Sequence, residues 1–143
     1  YVGRDDVGYL TGDERPPWRS IKGLTQRLAA PFVPDIGTDR TIALKDGETV
    51  GGFRAFHTPG HTPGHTAYFH EELEVAFLGD LVIEREGSLR PTPWFLCDDA
   101  TELRASVRAL ADRASGFEVA AMGHGVPFSS GGDELLSELA ETV

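Results

Sequence analysis

Residues 56–66 read FHTPGHTPGHT and place three histidines, His57, His61 and His65, at intervals of four. On a helix that spacing would stack the imidazoles on one face, but Pro59, Gly60, Pro63 and Gly64 fall between them. Proline removes a backbone donor and clashes with the preceding turn, and glycine carries extra chain entropy. The imidazoles therefore hang from a bent, non-helical loop. It either carries ligands or is a tight turn that happens to be rich in histidine.

The flanks of the loop alternate between α and β patterns. Upstream, Asp5 or Asp6 is placed to cap a short helical piece running to Leu10. Ile21, Leu24 and Leu28 then fall at i, i+3 and i+7, predicting a short amphipathic helix stopped by Pro31 and Pro34. "RTIALKDGETV" (40–50) predicts a hairpin at Asp46-Gly47, and "ETVGGFRAF" (48–56) a return strand into the histidine loop. Downstream, residues 66–81 predict two strands about a turn at His70–Glu72, the second ending at Gly79-Asp80. After a proline-punctuated loop, Asp99 and Glu102 form an acidic version of a capping box. Leu103, Val107, Leu110, Ala111 and Ala114 come next as a helical stripe ended by Gly116. "FEVAAMGHG" (117–125) predicts a strand, and residues 130–133 open a last helix with Leu135, Leu136, Leu139 and Val143 on one side.

The 143 residues suit a single domain, 1–143, with a hydrophobic core of its own. A net charge of −10 argues against nucleic-acid and anionic-membrane partners, which need clustered Lys and Arg. Lys22 and Lys45 are the only lysines. No apolar run approaches membrane-spanning length and no signal segment opens the chain, so a cytoplasmic protein is expected. Cys97 is alone, which excludes an internal disulfide and a thiolate cage. Any metal site must then rest on histidine and carboxylate.

Three ligand-capable residues share one kind of position. His61 comes after a predicted strand, and Asp80 and His124 stand at predicted strand ends, each beside glycine that lets the backbone bend sharply. Imidazole nitrogen with carboxylate oxygen suits zinc, and is acceptable to iron or manganese. On spacing alone, the three either share a metal or are separate turn residues.

"HTPGHTPGHT", "FLGDLV" and "MGHGVPF", in that order, resemble the metal-binding motifs of the metallo-β-lactamase superfamily. The resemblance runs over nearly the whole chain. It implies an α/β (α+β) fold of the αββα sandwich type, of which this chain would be the C-terminal part. It implies two zinc ions, with His61 on one, His124 on the other and Asp80 bridging them as the catalytic carboxylate. His65 matches no ligand and is expected to support the shell by hydrogen bonding. His57 and His70 are expected to be structural or surface residues. The family's opening His-x-His-x-Asp-His motif does not occur, since no histidine precedes His57. "YVGRDDVGYLTG" (1–12) resembles the segment a few tens of residues downstream of that motif. The expectation is therefore the C-terminal portion of a longer enzyme, inactive without its N-terminal half. That half, or a second copy of the chain, is expected to cover the inner face of its sheet.

The chemistry implied is hydrolysis of a small ester, thioester or lactone, with a metal lowering the pKa of its bound water to yield the attacking hydroxide. Trp94 and Phe95 are expected either to line the pocket or to pack on a neighbouring helix. Two other readings remain: an iron-dependent oxidoreductase resembling the persulfide dioxygenases, and a metal-free binding module on the same fold.

Overall fold

Short strands dominate the computed structural model, which describes residues 1–14, 21–29 and 41–143. In chain order they are β1 (Val2–Gly3), β2 (Ala43–Leu44), β3 (Thr49–Val50), β4 (Phe53–His57) and β5 (Thr66–His70). β6 (Val75–Gly79), β7 (Val82–Arg85), β8 (Ser88–Pro91) and β9 (Val119–Met122) complete the set. Five of them form the main sheet, in the order β3-β4-β5-β6-β9. β4, β5 and β6 pair antiparallel in turn, and β9 joins β6 in parallel. β4, β6 and β9 therefore all point the same way, and their C-terminal ends lie along one edge of the sheet.

Two short helices, α1 (Val7–Thr11) and α2 (Ile21–Ala29), precede the main sheet. Two longer ones cover one of its faces. α3 (Ala100–Arg113) starts at Asp99, whose carboxylate accepts from the N–H groups of Thr101 and Glu102 as the capping pattern predicts. It buries Leu103, Val107 and Leu110, the expected stripe. α4 (Gly132–Thr142) buries Leu136 and Leu139, with Asp133 and Glu134 in its first turn where the helix dipole favours them. Between helices and sheet lie Phe56, Ala67, Ala76, Leu78, Phe117 and Ala120. Full burial of side chains such as Phe56, Leu78 and Leu103 stabilises by about 1.5–3 kcal/mol each. The fold is a mixture of helices and sheets, as expected.

Among the described residues the other face of the sheet is partly open, although Ala55 on it is buried. Strand alternation puts Phe53, Tyr68 and Phe77 there, and Phe77 is 47% exposed. With Tyr1 and Val50 they line an open depression of about 410 Å³.

Several local expectations change. Asp46-Gly47 is a turn, but not the hairpin, because β2 leaves to pair in parallel with β1. The hairpin lies at Gly51-Gly52, which splits the expected single return strand into β3 and β4. Both glycines have positive φ, 56° and 84°, the conformation a two-residue hairpin turn demands. The proline-punctuated loop holds another hairpin, β7 with β8, turning at Glu86-Gly87. Asp6 caps nothing with its side chain at the start of α1; its carboxylate reaches the histidine loop instead. α2 forms, but Leu24 and Leu28 are exposed while Lys22 is buried. Pro31 and Pro34 lie outside the described residues. No helix among the described residues is long and apolar enough to cross a membrane.

Candidate metal centre

The edge where β4, β6 and β9 end gathers the candidate residues. The loop after β4 carries His61, and β5 begins one residue after His65. Asp80 comes directly after β6, and His124 stands two residues beyond β9. A register irregularity between Phe77 and Gly79, with Gly123 N–H donating to the Gly79 carbonyl at 2.9 Å, brings the Asp80 and His124 loops side by side.

Asp80 lies between two imidazoles. His61 Nε2 is 3.5 Å from its Oδ2, and His124 Nε2 is 3.7 Å from its Oδ1. Each histidine thus faces a different oxygen of one carboxylate. Asp80 Oδ1 and His61 Nδ1 are buried without a hydrogen-bond partner, a costly state for polar atoms that lack another ligand. A methyl group at Gly123 would sit 2.2 Å from Asp80 Oδ1, so this position must stay bare for the carboxylate to keep its place. Burial first, and then the charge of Lys22, lowers the His61 pKa to about 4. Its imidazole is therefore neutral at pH 7, the form in which histidine binds metals. These features suit a divalent metal on each side of Asp80. Among the described residues, no group of three or more His, Cys, Asp or Glu is arranged to hold a metal ion.

His65 stands behind Asp80. Its Nε2 accepts the Asp80 backbone N–H at 3.0 Å, which leaves Nδ1 protonated, close to the Thr58 hydroxyl (2.9 Å) and carbonyl (3.1 Å). The Thr92 hydroxyl donates to the Asp80 carbonyl at 2.7 Å, fixing the other side of the same residue. His57 and His70 stand apart from the candidate ligands. His57 donates to the Pro63 carbonyl at 2.8 Å, and His70 packs edge-on against Phe53.

Other supporting groups carried no signal in the sequence. Asp6 accepts from the Gly64 N–H at 2.7 Å and from the Thr62 hydroxyl, clamping the second half of the histidine loop. Glu84 accepts from the Val126 N–H at 3.1 Å, and its own N–H donates to the His124 carbonyl at 3.1 Å. The unforeseen β7–β8 hairpin thus helps to hold the His124 loop, beside the Gly123 bond to β6. The Gly87 and Val126 N–H groups keep the Glu84 carboxyl below the usual range. Lys22 donates to the His61 carbonyl and lies 3.8 Å from Asp98 Oδ1. Trp94 and Phe95 lie edge to face with ring centres 5.9 Å apart, and are 67% and 44% exposed.

Residues 1–124 match the family model described as the metallo-beta-lactamase superfamily. No curated protein matches the chain by sequence. Among solved structures, the chain is similar to a metallo-beta-lactamase family protein from Thermus thermophilus. The identity is 22% and the TM-score 0.60, over 99% of this chain and 51% of that one. A superfamily protein from Sulfolobus tokodaii aligns at 20% identity and TM-score 0.62, over 99% of this chain and 56% of that one. TTHA1623, solved in a di-iron-bound form, aligns at 24% identity and TM-score 0.64, over 100% of this chain and 64% of that one. The chain thus spans less than two thirds of the length of each.

Proposed function

We propose that this chain, which belongs to the metallo-beta-lactamase superfamily, is the C-terminal part of a metal-dependent hydrolase of small esters, thioesters or lactones. The superfamily is generally hydrolytic and binds divalent metals. The observation that carries the reading is Asp80, which offers one oxygen to the side of His61 and the other to the side of His124. A metal at such a position polarises a carbonyl oxygen and acidifies water. The chain's own residues supply the placement. His65 and Thr92 hold the Asp80 backbone from both sides, and burial keeps the His61 imidazole neutral.

Each side of Asp80 has two protein donors among the described residues, whereas a catalytic zinc takes three and a water. The remaining ligands are then supplied by an N-terminal half. Elemental analysis of the full-length protein after dialysis, with assays on ester, thioester and lactone substrates, tests this. Two zinc ions and turnover are expected in the full-length protein, and neither in the 143-residue chain alone. Two equivalents retained by that chain, with turnover, would overturn the division of the site between two halves. Iron with no hydrolysis favours the oxidoreductase reading. A full-length protein without metal would leave a binding module.

The open sheet face supports the same division. Phe53, Tyr68 and Phe77 on one surface need a cover, since apolar patches beyond ~300–600 Å² are unusual on a monomer. In the full-length protein that cover is the N-terminal half, and in the chain produced alone it is a second copy. The charge of −10 opposes self-association, and salt screens it. Light scattering coupled to size exclusion of the 143-residue chain is expected to show a dimer that strengthens with salt. A well-folded monomer at all protein concentrations contradicts this.

A further inference from the structure

We propose that Lys22 positions His61: its buried ammonium group, seated on the His61 carbonyl and beside the Asp98 carboxylate, holds the turn that aims the imidazole at Asp80. The inference rests on the reading of His61 as a metal ligand.

The first observation is which side chains α2 buries among those described. It leaves Leu24 and Leu28 54% and 69% exposed and buries Lys22 to 7%. Lysine is almost never so buried unless it is paired. The groups that meet its ammonium are the His61 carbonyl and Asp98 Oδ1. A buried ion pair adds little net stability, since the desolvation of two charges offsets their attraction. A leucine in place of Lys22 would serve packing as well. What the lysine adds is a strong, charge-assisted hydrogen bond at one chosen carbonyl.

The second observation is how the turn before His61 is held. The Ser106 hydroxyl donates to the Pro59 carbonyl at 2.7 Å. Asp98 and Asp99 N–H groups both donate to the Gly60 carbonyl at 2.9 Å. These two carbonyls are therefore fixed by the start of α3. The His61 carbonyl receives only a long 3.3 Å contact from the Asp98 N–H, which is already engaged with Gly60. Lys22 supplies a second hydrogen bond, and does so from a different element, α2. Without it, the turn is closed across His61 by the Gly60 N–H on the Thr62 carbonyl at 3.1 Å, and the His61 carbonyl loses the bond that ties it to α2.

The test uses the full-length protein with Lys22→Met and Asp98→Asn combined, so that neither charge is left buried alone. Cobalt(II) is the probe, tracked by its visible absorption, beside urea unfolding and amide exchange of the metal-free protein. Three results are expected together. The urea midpoint stays near that of the parent, exchange at the Gly60 amide, whose bond to the Thr62 carbonyl spans His61, quickens, and cobalt affinity falls roughly 10- to 100-fold at one of two positions. Unchanged affinity at both positions overturns the proposal. So does unfolding, or an equal loss at both positions, which would make the pair a structural support only. Failure of the parent protein to bind cobalt instead removes the metal reading itself, and shows in the unsubstituted protein.

Discussion

Asp80→Ala in the full-length protein is expected to abolish metal retention at both positions, and hydrolysis with it. Among the described residues its carboxylate alone faces both histidines, with Oδ2 3.5 Å from His61 and Oδ1 3.7 Å from His124. Its loss removes a donor from each side at once. His61→Ala or His124→Ala is expected to remove most of the metal. His65→Ala behaves differently, because its ring touches the Asp80 N–H and Thr58 and not the carboxylate. Losing such a supporting group weakens metal binding roughly 10- to 100-fold without emptying the site. Metal content after dialysis, read by elemental analysis, separates these variants. Metal lost from His65→Ala and kept by Asp80→Ala would reverse the assignment.

Gly60→Ala is expected to destabilise the chain by about 2–6 kcal/mol, the sum of backbone strain and overpacking. Gly60 has φ of 127°, a conformation that side chains rarely adopt. An added Cβ would lie 2.3 Å from the Leu103 N and 2.4 Å from its Cα, so helix backbone has to move. A domain's whole stability is about 5–15 kcal/mol, which makes loss of cooperative folding a realistic result of this one methyl group. Urea unfolding of the full-length protein measures it. An unchanged midpoint would show that the loop does not lie on α3 as described.

Much of this architecture is legible one residue at a time. α3 derives from the Asp99 cap and the Leu103, Val107 and Leu110 spacing, because cap and stripe are both local patterns. The bent histidine loop derives from four prolines and glycines between the imidazoles. The positions of Asp80 and His124 just beyond strands derive from apolar runs followed by glycine, and that of His61 from the bent loop after β4. These features depend on neighbours within a few residues, and the sequence holds all of them.

Strand pairing is not local, and here the structure alone decides. Asp46-Gly47 and Gly51-Gly52 are both adequate hairpin turns on their own. The departure of β2 to pair with β1, about forty residues earlier in the chain, leaves the hairpin to the second. The parallel pairing of β9 with β6 brings His124 to Asp80, and nothing in either stretch announces that partner. Lys22, Asp6 and Glu84 look like ordinary surface charges in the sequence. Each becomes a support of the site only because the fold sets it against a loop 39 to 58 residues away. Residue chemistry and short-range sterics make legible which side chains are candidate ligands and which segments bend or extend. Which carbonyl and which carboxylate oxygen each one meets depends on register between distant strands, and so appears with the fold.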